Sequence, residues 1–386
     1  MPIAGEALLT RPEWRVLLAA VHPASDRLVP SPLPDWPELL RLARRHGLVY
    51  LLTRWLDRHP ELQVPAEIRA ELTVRSRSHV QRCLSLGGAA GQLLADLQRQ
   101  GVTARVFKGP ALALQAYGNG LARGYNDIDL LVRTGQFSAA VEFLSRSGFG
   151  GEVPLTPAVL RYFERSRRDL VLSKNGLSVD LHQQFFRGPG FFRLTRDQWL
   201  DAEELSLHGF PLTAPAPALL LPVLCAHAAY HGWERLRDLA DVARLAAALT
   251  PEQWRRAAVY AGEMKIRALF RTGLLLVSRF FELQLALPPE LSRPDRRAAA
   301  WADHYAATLL QDGAGLSEWQ IFFGFCRHLD TPWARLRYFC FFLFSPRPVH
   351  FEREPHLSGP LFFRRLVHPW RLWREYWRQR RRAKTG

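Results

Sequence analysis

The chain predicts an α+β fold in which a small mixed-sheet core is flanked by helical regions on both sides, and three observations predict it. Apolar residues recur at helical spacing from Pro12 to about residue 100. The texture then changes to short β-type runs, one pair of which brackets an Asn-Gly turn signal. Beyond Pro211, Pro215 and Pro217 the helical spacing returns and continues toward the C-terminus. With 386 residues, 48% of them hydrophobic, the chain is long and apolar enough for more than one core, which excludes a wholly disordered protein. Neither collagen-like repetition, nor a sustained heptad, nor a short solenoid repeat is present.

The N-terminal helical region spans 1–101. Its pattern is clearest in Trp36, Leu39, Leu40, Leu42 and Ala43, followed by Val49, Leu51, Leu52 and Trp55. Ser78 to Gln100 reads as a long helix whose Gly87-Gly88 pair permits close packing, and Gly101 stops it. The α/β core spans 102–214: Val102 to Phe107 is a short strand, Pro110 to Tyr117 a helix, Asp127 to Val132 a core strand and Gln136 to Ser147 a helix. Asp169 to Ser173 and Leu177 to Leu181 form a hairpin around Asn175-Gly176. A C-terminal helical region covers 215–360, and 361–386 is a basic, Trp-rich helix.

The formal net charge is +16, and half of it sits between Leu361 and Gly386, where nine basic residues face one acid. Lysine occurs at four positions only, Lys108, Lys174, Lys265 and Lys384, so a well-placed lysine is informative. Cys83, Cys225, Cys326 and Cys340 are widely spaced in apolar surroundings with no C-x-x-C pattern, which points to reduced core thiols and not to a disulfide framework or zinc site. The first residues carry neither a secretory nor a twin-arginine pattern, so the expected location is the cytoplasm.

The chemistry concentrates in acidic residues. In a strand, residues i and i+2 share a face, so Asp127 and Asp129 stand side by side on one exposed face while Ile128 and Leu130 point to the core. Like charges held this close raise each other's pKa unless a cation neutralises them. A hard divalent ion with oxygen ligands, Mg²⁺ above all, suits the pair; solvated turn aspartates are the bland alternative, disfavoured by the core strand that follows. Asp180 has the same geometry in LSVDLHQQF, sharing its face with His182, so a strand pairing near Asp127 would deliver a third acid. Three acids on adjacent strands can hold two Mg²⁺ ions, orient a nucleoside triphosphate and activate an attacking hydroxyl. Lys108-Gly109 follows a strand and opens a helix, a place where backbone amides and a cation receive phosphate, and Gly109 lets it approach without a Cβ. Arg123 would neutralise phosphate oxygens or bind the acceptor.

The run FKGPALALQAYGNGLARGYNDIDLLV, continued by the helix ending at Ser147-Gly148-Phe149 and by VDLH, resembles the bacterial uncharacterised nucleotidyltransferase family of the DNA polymerase beta-type superfamily. That resemblance implies a palm-like nucleotidyltransferase core in which Gly109 is the turn glycine, Asp127 and Asp129 the metal pair and Asp180 the third acid. It extends to CAHAAYHGWERLRDLADVARL, where His227, His231, Trp233 and Asp241 match a helical His-rich signature. Lys108-Gly109 stands where the wider superfamily has Gly-Gly or Gly-Ser. His227 and His231 are four apart and share a helix face; without an H-E-x-x-H glutamate they line an acceptor pocket or sit in the helical core, with Asp241 orienting one of them.

In the tail, Leu366, Trp370, Trp373 and Trp377 form one stripe and arginines fill much of the rest. Docking on the preceding helices ranks first, an anionic membrane surface, peripheral to the inner membrane, second, and nucleic acid third. The sequence thus leads to a Mg²⁺-dependent enzyme moving a nucleoside monophosphate from a nucleoside triphosphate to a hydroxyl acceptor, with pyrophosphate released. The acceptor's class stays open: sugar, small metabolite, peptide, protein or RNA end. The rival reading is a non-catalytic protein of the same fold that engages a membrane or partner through its Trp/Arg tail.

Overall fold

The computed structural model describes residues 9–24, 32–151, 155–166, 169–186, 192–310 and 318–344. The basic, Trp-rich segment 361–386 lies outside the described residues. The N-terminal helices are α1 (Pro12–Val21), α2 (Trp36–Arg45), α3 (Val49–Leu56) and the long α4 (Ala66–Arg99). The central part runs β1 (Ala104–Val106), α5 (Gly109–Tyr117), β2 (Ile128–Val132), α6 (Phe137–Arg146), β3 (Gly150–Gly151), α7 (Pro157–Ser166), β4 (Leu170–Lys174), β5 (Leu177–His182), α8 (Arg196–Leu200), β6 (Ala202–Leu207) and β7 (Phe210–Pro215). The remaining helices are α9 (Pro217–Tyr230), α10 (Leu236–Ala248), α11 (Pro251–Glu263), α12 (Arg267–Phe281), α13 (Pro289–Ser292), α14 (Arg296–Leu310), α15 (Glu318–His328) and α16 (Pro332–Phe344). This is the α+β architecture expected, a small mixed sheet flanked by helices. Among the described residues no helix is long and apolar enough to cross a membrane.

The main sheet has the order β1-β2-β5-β4-β3. Among the described strands only β2 and β5 pair in parallel, with Asp129 opposite Asp180 and Leu131 opposite His182. The β4–β5 hairpin turns at Asn175 (φ +49°) and Gly176 (φ +80°), the left-handed pair that a two-residue turn requires. A second hairpin, β6–β7, turns the same way at His208-Gly209 and was not read from the sequence, where His-Gly is a weaker turn signal than Asn-Gly.

Side-chain alternation divides the described residues between two hydrophobic clusters. Ile128, Leu130 and Val132 of β2, with Val179 and Leu181 of β5, pack against the second half of α4 through Leu86, Ala90, Leu93, Leu94 and Leu97. Leu131 and Phe107 point the other way, into a cluster that joins Trp14, Leu17 and Trp55 of the N-terminal helices to Trp233, Phe270 and Phe281 of the C-terminal ones. Strand β2 is therefore buried along its whole length, which corrects the expectation that its aspartate face is exposed: Asp129 is 6% exposed because helices cover both sides of the sheet.

Helix α4 begins twelve residues earlier than the sequence suggested, at Ala66. Its first half is polar and stabilised by side-chain pairs such as Glu71–Arg75 at i, i+4, so it lacks the apolar periodicity that marks the second half. A glycine contact does form on α4, but on a different pair from Gly87-Gly88. A Cβ at Gly87 would lie 2.5 Å from Leu207 Cδ2 and one at Gly91 2.7 Å from Phe210 Cβ, so Gly87 and Gly91 seat the β6–β7 hairpin while Gly88 meets nothing within 4 Å. Gly88→Ala should raise stability by about 0.5–1 kcal/mol through helix propensity alone. Gly91→Ala should lower the melting temperature despite the same propensity gain, because Phe210 Cβ is fixed to its backbone; thermal denaturation of the two variants checks the opposite signs.

Candidate active site

The parallel β2–β5 register places Asp129 and Asp180 as direct neighbours on one face, with His182 one step along. One ligand atom from each of Asp129, Asp180 and His182 lies within 4.8 Å of the others, the one group of three or more potential metal ligands among the described residues. Asp127 stands outside that trio. It directly precedes β2, is partly exposed, and is coupled to the others through its charge: burial first, then Asp129, pushes its carboxyl upward.

Asp129 is the centre of the electrostatics. Lys108 Nζ donates to its Oδ1 at 3.3 Å, and His182 Nε2 lies 3.2 Å from the same oxygen. Burial alone would raise the Asp129 carboxyl, but Lys108 and His182 outweigh it and hold the group well below the ordinary carboxylate range. Asp180 has weaker support, from the charge of His182 alone: burial, then the charge of Asp129, outweighs it and pushes the carboxyl up to about 6. Two carboxylates less than 5 Å apart repel by roughly 3 kcal/mol at an effective dielectric near 20, so their separation into one stabilised and one destabilised anion is what the geometry demands. Phe107 fixes the two basic partners, its ring meeting His182 edge-on at 4.9 Å and Lys108 Nζ also at 4.9 Å.

Gly109 adopts φ +49°, a left-handed conformation that any Cβ would strain; the space there is ample, since a Cβ would find only ordinary contacts at 3.5 Å or more with Tyr125 and Asp127. At the start of α5, Pro110 has no N–H and the amides of Ala111 and Leu112 both donate to Lys108 O. The backbone donors expected to meet a phosphate are thus largely spent within the turn, and the cation the turn presents is Lys108.

Arg123 and Asp241 are joined to each other, not to the carboxylate cluster. Arg123 Nε donates to Asp241 Oδ2 at 2.6 Å and Tyr117 OH donates to Asp241 Oδ1 at 2.8 Å, all three groups being buried or nearly so. Burial would lower the Arg123 pKa, but the adjoining carboxylate outweighs it and raises it. The expectation that Asp241 orients a histidine is therefore corrected: its two oxygens are taken by Arg123 and Tyr117, and the ion pair ties the loop before Asp127 to α10. His227 is partly buried at the end of α9, with its ring 4.5 Å from that of His231, which is exposed just past the helix terminus. Burial, then the charge of Lys108, holds His227 well below the ordinary histidine range, so it flanks Lys108 as a neutral imidazole.

One feature escaped the sequence. Beside Asp127 opens a cavity of about 720 Å³ whose wall includes Arg44, Tyr50, Arg75, His79, Arg82 and Arg237, and whose floor is Gly124, Tyr125 and Asn126. These residues come from four separated segments, so no local motif announces them. The one available signal was the spacing of Glu71, Arg75, Ser78 and Arg82, which places them on a single face of α4.

The sequence pattern of a family described as "Uncharacterised nucleotidyltransferase" matches residues 32–282, well over half the chain and every element that carries the residues above. No curated protein matches the chain.

Two measurements follow from this geometry. A carboxyl raised in the folded state stabilises the fold below its unfolded pKa of about 3.8, and that stability is lost as pH rises through about 6. In the absence of divalent cations Asp180→Asn should therefore be more stable than the parent at pH 7.5, by roughly 2 kcal/mol after discounting for partial exposure, with the gap closing between pH 6 and pH 4. Separately, Arg123→Met should destabilise by about 3–5 kcal/mol by leaving Asp241 buried and unpaired, and adding Asp241→Leu should recover part of that loss in a denaturant double-mutant cycle.

Proposed function

The chain belongs to the uncharacterised nucleotidyltransferase family, and from that membership we propose a Mg²⁺-dependent transfer of a nucleoside monophosphate from a nucleoside triphosphate to an acceptor hydroxyl, in the manner of the polymerase beta-type enzymes. The observation that carries the reading is the β2–β5 register, which sets Asp129 beside Asp180 with His182 within reach. Asp129, Asp180 and Asp127 would hold the metal, with His182 as a further ligand on Asp129's side. The donor set supports this: it is rich in carboxylate oxygen, and the oxygen that would meet a cation already meets one, the Lys108 ammonium. When bound, the metal would supply charge neutralisation for the triphosphate and a more acidic acceptor hydroxyl.

The protein's own groups then have separate tasks. Lys108, at the Gly109 turn, exchanges its contact with Asp129 for phosphate oxygens of the donor. The acceptor oxygen attacks the α-phosphorus, the bond to the bridging α–β oxygen breaks, and pyrophosphate leaves. Asp180, beside Asp129 on the neighbouring strand, would take the hydroxyl proton or, through the metal, make that proton easier to lose. Neutral His227 leaves the cationic charge beside the cluster to Lys108. The Arg123–Asp241 pair acts at one remove, by holding the segment that leads into Asp127.

The test is incubation with α-labelled nucleoside triphosphates, Mg²⁺ and cell extract or candidate acceptors. Label transfer by the parent protein should fall by about a thousandfold or more in Asp129→Asn, in line with losses for groups that stabilise transition-state charge, and Lys108→Ala should mainly raise the triphosphate KM. Equal labelling by the parent and Asp129→Asn would end this reading.

A further inference from the structure

We propose that the arginine-lined cavity beside Asp127 binds the phosphate group of a small phosphorylated molecule, and that this molecule is the acceptor. The second half of the statement rests on the nucleotidyl-transfer reading; the first rests on the cavity itself.

The charge of the lining argues for an anion. Arg44 from α2, Arg75 and Arg82 from α4 and Arg237 from α10 converge on the space, and Glu71 is the single carboxylate among the lining residues. Glu71 Oε1 lies 2.7 Å from Arg75 Nε and 3.8 Å from Arg44, so one acid is shared by two guanidinium groups. Asp238 lies beside Arg237 at 3.4 Å but outside the lining. Set against Glu71 and Asp238, the four guanidinium groups leave two positive charges uncompensated around the cavity, and guanidinium groups so gathered are the usual receivers of phosphate oxygens. Arg237 is also set in place in advance: it donates to Gly124 O at 3.2 Å and lies over Gly47, where a Cβ would be 3.5 Å from the guanidinium. A fixed guanidinium loses little freedom when a ligand arrives.

The walls and the position narrow the ligand. Tyr50 and His79 are stacked on each other at 4.6 Å and 9°, and His79 Nε2 lies 2.6 Å from Leu121 O, so this aromatic pair is already satisfied and forms a flat wall. That arrangement does not suit a single strand of nucleic acid, which needs open aromatic faces along a groove. The volume matches a compact ligand. The floor ends at Asn126, next to Asp127, and the Tyr125 ring lies 3.5 Å from the position a Cβ on Gly109 would take. A phosphate held by the arginines would thus put the rest of its molecule beside the carboxylate cluster. The donor's phosphates have their own cation: Lys108, which is on Asp129 and not in the cavity wall.

Titration calorimetry on the full chain tests this with inorganic phosphate and ribose 5-phosphate as probes, ribose as the uncharged control, and Mg²⁺-ATP titrated in parallel. Arg82 is exposed on the helix surface, so its replacement spares the core. The phosphate-bearing probes should bind and ribose should not. Arg82→Ala should weaken their binding at least tenfold, Arg82→Lys should recover part of it, and Mg²⁺-ATP affinity should hold in both variants. The proposal is overturned if Arg82→Ala binds both phosphate probes as the parent does, or if ribose binds as well as ribose 5-phosphate. It is equally overturned if Mg²⁺-ATP affinity falls in step with phosphate affinity, which would assign the cavity to the donor, or if a 5′-phosphorylated oligonucleotide binds a hundredfold more tightly than ribose 5-phosphate. Loss of the transfer reading through Asp129→Asn would leave these affinities untouched, so the two readings fail separately.

Discussion

Two adjacent strands running in the same direction hold two carboxylates closer together than either would choose. That repulsion is the constraint around which the site is built. Parallel pairing makes Asp129 and Asp180 neighbours, and the surrounding chain answers with Lys108 and His182, both directed at one oxygen of Asp129. The response is lopsided, leaving one acid firmly ionised and the other inclined to hold its proton. Such a division is typical of sites where charge must be received or a proton moved, and its maintenance demands a sheet that cannot slip, because a one-residue shift of either strand would turn its carboxylate to the opposite face.

The sheet is prevented from slipping by what covers it. Its even-numbered β2 residues are held by α4 and α6, and its odd-numbered ones by a cluster to which both ends of the chain contribute. The loop that enters β2 is fastened separately, through the buried Arg123–Asp241–Tyr117 group. The helical flanks therefore do more than surround a central unit. They decide where Asp127 can stand.

Part of the centre was readable in advance because strand alternation is local: the shared face of Asp180 and His182 could be inferred from neighbours two positions apart, whereas Asp127, read on the same strand as Asp129, lies just before it. The Asn175-Gly176 hairpin was local too. What escaped depends on contacts distant in sequence. The burial of Asp129 needs helices from both ends of the chain, and Arg123 could not be distinguished from a phosphate ligand until Asp241, more than a hundred residues later, came against it. The polar first half of α4 hid because charged pairs support it and only Ile68 and Leu72 join the core, the rest of its inner face lining a cavity. The β6–β7 hairpin was missed because its seat, Gly87 and Gly91, is recognisable only once Leu207 and Phe210 lie upon it.

The distance in sequence between Arg123 and Asp241 also orders events on the ribosome. At ordinary elongation rates Asp241 is made on the order of ten seconds after Asp129, and β5 is complete well before then. The nascent polypeptide thus has its acidic pair of strands in hand while the segment before Asp127 still lacks its anchor. The carboxylate cluster is complete in sequence before the partner that fastens its entry loop has been synthesised.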